Sequence, residues 1–276
     1  MEKILVPIDF SKKSEFASKM AARIAKKSNS VVYLLHMIEL PTGIIDMGAG
    51  SNFSIPESML YLRKVKERIL EFKEAYFNKK TEVHHAIRFQ NPYEGILEYA
   101  DKIEADLIIM GSKGHSNFEE ILIGSNTEKV VRTSKVPVIV VKKDNDKFRM
   151  HNLIFASSFK NDDKKPVFKK FLDFANHFKS EIHLLKVNTP SRFESSQEAT
   201  KKVNNFIKEF NLPKYTIHTY NDVSIEKGIL NFSKDFNVDL IALSTHGRSG
   251  LSHLFTPSVT KSISKKALKP ILTIKV

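Results

Sequence analysis

The chain of 276 residues contains no cysteine and no tryptophan, and none of its apolar stretches approaches the length of a membrane span. Without cysteine it can form neither a disulfide nor a thiolate metal site, which agrees with a reducing compartment. A spanning helix needs about 20 consecutive apolar residues, so no membrane contact is predicted. The first 11 residues read as a strand and a turn, without the regions of a signal peptide. We therefore expect a cytoplasmic protein.

Acidic residues are in the minority, since 44 lysines and arginines outnumber 31 aspartates and glutamates and give a formal net charge of +13. Such a charge is compatible with nucleic-acid binding. However, lysines and glutamates are mixed at helical spacing in segments such as 65–80, as on a solvated helix face. No arginine-rich arm and no helix-turn-helix pattern accompanies them. A solvated basic surface is therefore favoured over a nucleic-acid-binding protein.

The sequence contains an internal repeat of two copies. Four segments recur in the same order: 3–11 with 152–160, 31–39 with 181–189, 105–116 with 238–249, and 136–143 with 269–276. A charged segment at 142–151 separates the copies, and we predict domains at 1–146 and 150–276. The first copy is roughly 16 residues longer, and the loop at 41–58 is predicted to hold the extra length.

Each copy alternates short apolar strands with amphipathic helices. In the first copy we predict strands at 3–8, 31–37, 82–89, 106–110 and 136–141, and helices at 14–27, 57–78, 92–104 and 125–134. Strands rich in valine, isoleucine and leucine without polar alternation suit a parallel sheet covered on both faces. The predicted fold class is α/β, with two tandem doubly wound domains. Each domain is expected to have a five-stranded parallel sheet of order 3-2-1-4-5 and about four helices.

Glycines are concentrated after the fourth strand of the first copy. Gly111, Gly114 and Gly124 form the pattern G-x2-G-x9-G-S. Open parallel sheets bind ligands beyond the carboxyl ends of the strands, where the strand order reverses, which is here between strands 1 and 4. The residues that leave strand 1, at 7–9, would face those that leave strand 4, at 110–114. N–H groups at the start of the next helix favour an anion, so a phosphate-containing ligand is predicted.

The residues at this crevice suit a nucleotide, but each also has a structural alternative. Asp9 can accept hydrogen bonds from a ribose hydroxyl or an adenine amino group, and Lys113 offers a positive charge. The hydroxyl groups of Ser125 and Thr127 can donate to phosphate. Alternatively, Asp9 or Ser125 caps a helix, the glycines serve only tight turns, and Lys113 is simply solvated.

The motifs resemble those of the universal stress protein family. The likeness lies in Pro7-x-Asp9, in the G-x2-G-x9-G-S loop and in the final strand VPVIVV at 136–141, and it covers nearly the whole chain as two tandem domains. The resemblance implies that the first domain binds ATP or another adenine nucleotide, with Mg²⁺. With Ser112, Lys113 and Asn126 included, the nucleotide-binding residues would be Pro7, Ile8, Asp9, Met37, Met110, Gly111, Ser112, Lys113, Gly114, Gly124, Ser125, Asn126 and Thr127. Lys113 departs from the histidine common in the family, and Asn126 from a commonly apolar residue.

The second copy departs further from these motifs. Ala156 and Ser158 replace the proline and aspartate, Ser244 replaces the first glycine, and Pro257 the third, whereas Gly247 is kept. Proline lacks the N–H donor that a phosphate loop uses. We therefore predict weak or absent nucleotide binding in this copy.

Three functions are compatible with the sequence. The leading hypothesis is an ATP-binding regulatory protein of the stress response. One alternative is a nucleotide-independent scaffold of the same fold, and another is a slow ATP hydrolase in which Glu119 or Glu120 orients water. No catalytic residue and no protein metal site is predicted, and an efficient enzyme is not expected.

The last strand of each copy is apolar and would lie at a sheet edge, where unpaired backbone groups invite pairing. In the family that the chain resembles, strand 5 mediates domain pairing. We predict that strand 5 pairs the two domains within the chain, and a homodimer of chains stays open as a further level of assembly.

Overall fold

The computed structural model describes residues 1–39, 55–112, 124–144, 148–160, 164–245, 262–264 and 266–276, with the backbone alone at 55–58. The first copy contains β1 (Lys3–Ile8), α1 (Lys12–Ser28), β2 (Val31–Ile38), α2 (Ile55–Tyr76), β3 (Val83–Phe89), α3 (Pro92–Lys102), β4 (Leu107–Gly111), α4 (Ser125–Thr133) and β5 (Val138–Val141). The second contains β6 (Asn152–Ala156), α5 (Lys165–His177), β7 (Glu181–Asn188), α6 (Ser196–Ile207), β8 (Tyr215–Asn221), α7 (Ile225–Asp235), β9 (Leu240–Thr245) and β10 (Ile271–Lys275). The predicted bounds of the first copy differ from these by at most two residues.

The strands form one ten-stranded sheet in the order β3-β2-β1-β4-β5-β10-β9-β6-β7-β8. Within each copy neighbouring strands are parallel. The predicted order 3-2-1-4-5 and the two doubly wound domains are therefore confirmed. β5 and β10 lie side by side and antiparallel, with Ile139 opposite Leu272. The order reverses between β1 and β4 and between β6 and β9, which places a crevice at the carboxyl ends of those strands.

Both faces of the sheet are buried, which explains why the strands read as continuous apolar runs. One hydrophobic cluster extends through both copies and includes Ile139 and Leu272. Two smaller clusters occupy the opposite face, one in each copy. Phe168 and Phe171 of α5 are fully buried and belong to the large cluster.

The repeat is visible in the backbone as well as in the sequence. Three pairs of equivalent residues have positive φ: Phe10 and Phe159, Asn29 and Lys179, and Glu104 and Asn237. Non-glycine residues seldom adopt this conformation, so its recurrence shows that both copies keep the same turns.

An aspartate before the fourth strand anchors the start of the first strand in each copy. Asp106 Oδ2 accepts hydrogen bonds from the N–H groups of Glu2 at 2.6 Å and Lys3 at 3.0 Å. Asp239 Oδ2 accepts the equivalent bonds from His151 at 2.8 Å and Asn152 at 3.1 Å. These carboxylates satisfy strand-end donors that would otherwise lack a partner.

The extra length of the first copy is not confined to the loop at 41–58. α2 has 22 residues and α6 has 12, so part of the difference lies in the helix. The rest lies between β2 and α2, a connection whose residues 40–54 fall outside the described ranges. None of the described helices has the length and apolar composition that crossing a membrane requires.

Candidate functional site

A cavity of about 460 Å³ opens at the carboxyl ends of β1 and β4 in the first copy. The predicted site residues that line it are Pro7, Ile8, Asp9, Met37, Met110, Gly111, Gly124, Ser125, Asn126 and Thr127. Its volume falls within the range of roughly 300–1,000 Å³ typical of small-molecule sites. Ser112 is buried but does not line the cavity. Lys113 and Gly114 lie outside the described residues.

Five lining residues were missed by the sequence reasoning: Ser11, Ser14, Leu35, Pro92 and Ile96. The two serines belong to the start of α1, where Ser11 is the N-cap and its side chain accepts a hydrogen bond from Ser14 N. A serine three residues before another at a helix start is a capping signal that could have identified them. The apolar residues face the cavity from β2 and α3.

Asp9 shapes the turn between β1 and α1 but is not the helix cap. Its Oδ1 accepts a hydrogen bond from Ser11 N at 3.0 Å. Its second carboxylate oxygen makes no hydrogen bond to the part of the chain that the structure describes. The hydrogen bond to Oδ1 therefore orients the Asp9 carboxylate, and Oδ2 can still accept a hydrogen bond at the cavity wall.

Phe10, directly after Asp9, has φ 61°, a conformation that costs an L-residue roughly 1–2 kcal/mol. Its ring packs against His36, with centroids 4.7 Å apart, and the Arg68 guanidinium lies 4.4 Å from its centroid. His36 Nδ1 is 2.9 Å from the carbonyl of Ile8, and burial lowers the pKa of His36. A neutral imidazole thus braces the turn that carries Asp9.

Gly111 allows α1 to approach β4. A Cβ at this position would lie 2.8 Å from the carbonyl carbon of Lys13 and 2.8 Å from its Cβ. Among the described residues, the group nearest to such a Cβ is Lys13 in the first turn of α1. The carbonyl of Gly111 also accepts a hydrogen bond from Thr127 Oγ1 at 3.0 Å, which joins β4 to α4.

The N-terminus of α4 lies at the cavity and lacks a side-chain cap. The N-cap is Gly124, so Ser125 is the first helical residue and does not cap the helix. The N–H of Gly124 donates to the carbonyl of Ser112 at 2.7 Å, which joins the ends of the segment between them. The N–H groups of the first helical residues have no intrahelical acceptor, and together with the helix dipole they form a favourable environment for an anion.

Two methionines line the cavity. Met37 is the next-to-last residue of β2, and Met110 directly precedes Gly111 in β4. A Cβ added to Gly95 of α3 would lie only 2.2 Å from Met37 Cε, so this glycine makes room for the methionine side chain. Thioethers make favourable contacts with aromatic rings, so this wall suits a flat base.

Two lysines lie next to the end of β5. Lys13 Nζ donates to the carbonyl of Lys142 at 2.8 Å. Lys142 is buried, and its ammonium has no hydrogen-bond partner among the residues the structure covers. Burial, and then the charge of Lys13, lower the pKa of Lys142 to about 8. Because Val141 pairs with Gly111, this positive charge belongs to the same end of the sheet as the cavity.

The equivalent crevice in the second copy is nearly closed, at about 30 Å³. Equivalent positions line it: Ala156 for Pro7, Leu185 for Leu35, Val187 for Met37, Ile225 for Pro92 and Ile229 for Ile96. Lys160, Lys186, Arg192 and Glu194 also line it, with Lys160 at the position of Ser11, whereas the only charged side chain in the described lining of the first cavity is Asp9. Ser244 is buried in place of Gly111, and its hydroxyl has no hydrogen-bond partner among the described residues.

Several predicted features fall outside the described residues. These are Glu119, Glu120, Gly247, Pro257 and Ser258. Among the described residues no three histidine, cysteine, aspartate or glutamate side chains are grouped as metal ligands. Asp9 is the only carboxylate in the described lining of the first cavity.

Comparison with known proteins places these observations in context. The pattern of the universal stress protein family matches residues 1–142 and again residues 150–275. Two universal stress proteins of Methanocaldococcus jannaschii are 34% identical over 160 residues and 32% over 148. Those alignments cover 52% and 51% of this chain and 96% and 82% of the relatives. A universal stress protein structure from Archaeoglobus fulgidus superposes on 99% of this chain and 96% of its own, with a TM-score of 0.70 and 20% identity, which supports the fold.

Proposed function

The chain belongs to the universal stress protein family as a tandem two-domain member, and from this premise we propose that its first domain binds an adenine nucleotide, ATP with Mg²⁺, in a stress-response regulatory role. The observation that carries the proposal is the cavity of about 460 Å³ at the β1/β4 switch point. Ten of the residues chosen from the sequence line it. The second domain, whose crevice measures about 30 Å³, is proposed not to bind nucleotide.

The proposed roles follow from the chemistry of the lining. Asp9 would accept from a ribose hydroxyl or the adenine amino group, and Met37 and Met110 would contact the base. The uncapped start of α4 would donate N–H groups to phosphate, with the hydroxyl of Ser125 beside them. Because the described lining contains a single carboxylate, Mg²⁺ would be held mainly by phosphate oxygens and water, as is usual for this ion.

Mass spectrometry of the gently purified, denatured protein tests this proposal. We expect a co-purifying adenine nucleotide and a rise in melting temperature with Mg-ATP. If neither is found, the nucleotide-independent scaffold becomes the better explanation. If single-turnover experiments show product formation that Glu119→Gln or Glu120→Gln abolishes, the protein is a hydrolase instead.

Asp9→Asn provides the first residue-level test. The variant keeps an oxygen for Ser11 N but removes the charge, and a hydrogen bond to a charged group contributes roughly 1.5–3 kcal/mol. We therefore expect ATP affinity to fall by about 10- to 100-fold. Ser158→Ala, at the equivalent position of the second domain, is the matched control and should leave ATP affinity unchanged. Equal affinities in all three proteins would remove Asp9 from the site.

We also infer that the β5–β10 pairing is the interface of the two domains in solution. It is supported by the antiparallel register, by Thr273 Oγ1 donating to the carbonyl of Val138 at 3.2 Å, and by the shared hydrophobic cluster. A homodimer of chains would have to use another surface. Sedimentation velocity over a range of concentrations decides between a monomeric tandem chain and such a dimer.

A further inference from the structure

A carboxylate in the second domain lies where three lysines converge. Glu194 is in the connection between β7 and α6. Its Oε1 lies 3.0 Å from Lys160 Nζ and 2.9 Å from Lys202 Nζ, and its Oε2 lies 2.9 Å from Lys186 Nζ. The lysines come from three places in the fold: after β6, in β7 and in α6. Tertiary structure, not local sequence, therefore assembles the cluster.

Glu194 and Lys186 are largely removed from solvent, whereas the side chains of Lys160 and Lys202 are 40% and 39% exposed. The side chain of Lys186 is 5% exposed and that of Glu194 is 12% exposed. Burial alone would raise the pKa of Glu194, but its bonds to Lys202, Lys186 and Lys160 outweigh this and lower the pKa to about 2. Buried charges are costly unless they are paired, so the buried Lys186 ammonium requires an anion at this position, and the two more exposed lysines add positive charge beside it.

The position of the carboxylate is also fixed through its backbone. The carbonyl of Glu194 accepts a hydrogen bond from Asn188 Nδ2 at 2.8 Å. The next residue, Ser195, is the N-cap of α6 and forms a capping box with Glu198. Both ends of this short connection are therefore tied down, and the Glu194 side chain extends into the crevice from a defined frame.

This crevice is the counterpart of the proposed nucleotide site. Lys160, Lys186 and Glu194 line it together with Ser157 and Ser158. These two serines come directly after β6, at the positions that Ile8 and Asp9 hold in the first copy. Three ammonium groups surround a single carboxylate, which leaves an excess of positive charge. Ammonium groups at this spacing are suited to a phosphate-type oxyanion.

We propose that Lys160, Lys186 and Lys202 form an oxyanion site of the second domain, and that the Glu194 carboxylate is its built-in occupant. The class of external ligand that this charge would attract once the Glu194 side chain is removed is a small inorganic phosphate, such as orthophosphate or pyrophosphate. While Glu194 is in place, it excludes such anions by occupying the lysines and by like-charge repulsion. The proposal does not depend on nucleotide binding by the first domain.

Isothermal titration of the full chain with sodium pyrophosphate tests the proposal. We expect Glu194→Gln to bind one more pyrophosphate per chain than the parent, whether the parent binds one or none. In the variant a saturating concentration should raise the melting temperature by about 4 °C beyond any rise in the parent. Glu226→Gln is the matched control, because Glu226 is also partly buried but pairs with a single lysine, Lys266. It should gain no site.

Two results would overturn the proposal. One is an equal number of pyrophosphate sites in Glu194→Gln and in the parent. The other is a gained site that persists when Lys186→Met and Lys202→Met are added, because binding would then lie elsewhere. Glu194→Ala, which removes both the charge and the volume of the side chain, is run in the same comparison and replaces Glu194→Gln if that variant does not fold. An unchanged site count in that variant would equally contradict the proposal.

Discussion

The two crevices of the molecule are built from equivalent strands and helices but differ in volume and in the side chains that line them. Both lie at the strand-order reversal, both follow a turn with a phenylalanine at positive φ, and both have an equivalent helix glycine, Gly95 or Gly228. One encloses about 460 Å³ and the other about 30 Å³. Glu194, Lys160 and Lys186 line the second crevice, whereas Asp9 is the only charged side chain in the described lining of the first. The same strand arrangement is therefore compatible with an open cavity in one copy and an ion cluster in the other.

The largest expected effect concerns the acid stability of the filled crevice. The pKa of Glu194 is about 2 in the folded chain, against an ordinary value of 4.5. Its contribution to the free energy of unfolding is fully present above pH 4.5 and is lost as the pH falls from about 4.5 towards 2. The shift corresponds to roughly 3 kcal/mol.

Urea unfolding of the parent and of Glu194→Gln at pH 7 and pH 2.5 measures this contribution. The two proteins should differ by a few kcal/mol at pH 7 and much less at pH 2.5. Glu226→Gln again serves as the control and should show a smaller change between the two pH values. A difference between parent and Glu194→Gln that does not depend on pH would show that the carboxylate charge is not what stabilises the second crevice.

Exchange of the residues at the equivalent positions 111 and 244 should have the next largest effect on stability. In Gly111→Ser the new Cβ would meet the backbone of Lys13 at 2.8 Å, so we expect a loss of about 1–3 kcal/mol in the free energy of unfolding. The reciprocal Ser244→Gly removes a buried hydroxyl without a hydrogen-bond partner in the described part of the chain. Because relief of that group offsets the entropy cost of glycine, it should change stability by less than about 1 kcal/mol. Equal losses in chemical denaturation would refute this asymmetry.

Substitution of Gly95 in α3 is expected to have the smallest effect on stability but to lower ATP affinity. In Gly95→Ala the clash falls on Met37 Cε, the end of a flexible side chain, which can move into the cavity. We expect a stability change under about 1 kcal/mol and an ATP affinity roughly tenfold lower. In Gly228→Ala the clash falls on Val187 Cγ1 at 2.5 Å, a stiff β-branched side chain, so the variant should lose stability and keep its ATP affinity.

A double variant sharpens the comparison at this position. Gly95→Ala combined with Met37→Ala removes the clash, so its ATP affinity should equal that of Met37→Ala alone. If Gly95→Ala weakens binding further in the absence of the methionine side chain, the glycine acts by another route. Fluorescent-nucleotide titration gives the affinities, and thermal unfolding reports whether the variants remain folded.

The fold could be predicted from the sequence because buried parallel strands and amphipathic helices have distinct periodicities. The strand-order rule then predicted that Asp9 and Gly111 face one crevice, although about a hundred residues separate them. Packing details could not be predicted in this way. The contact between Gly95 and Met37 depends on how α3 lies against β2, and the convergence of lysines on Glu194 depends on three separate elements.

The antiparallel contact between β5 and β10 has a consequence for how the protein responds to its own abundance. Two copies on one chain meet at an effective concentration that the linker sets, which for short connections is in the millimolar range. Under the proposed pairing of the two domains, their association is a first-order event whose extent does not depend on the level of expression. A single-domain relative that pairs through the same strand would instead be governed by mass action. Because the two units are on one chain, dilution does not separate them. The second unit therefore stays beside the first whether or not it has a cavity of its own.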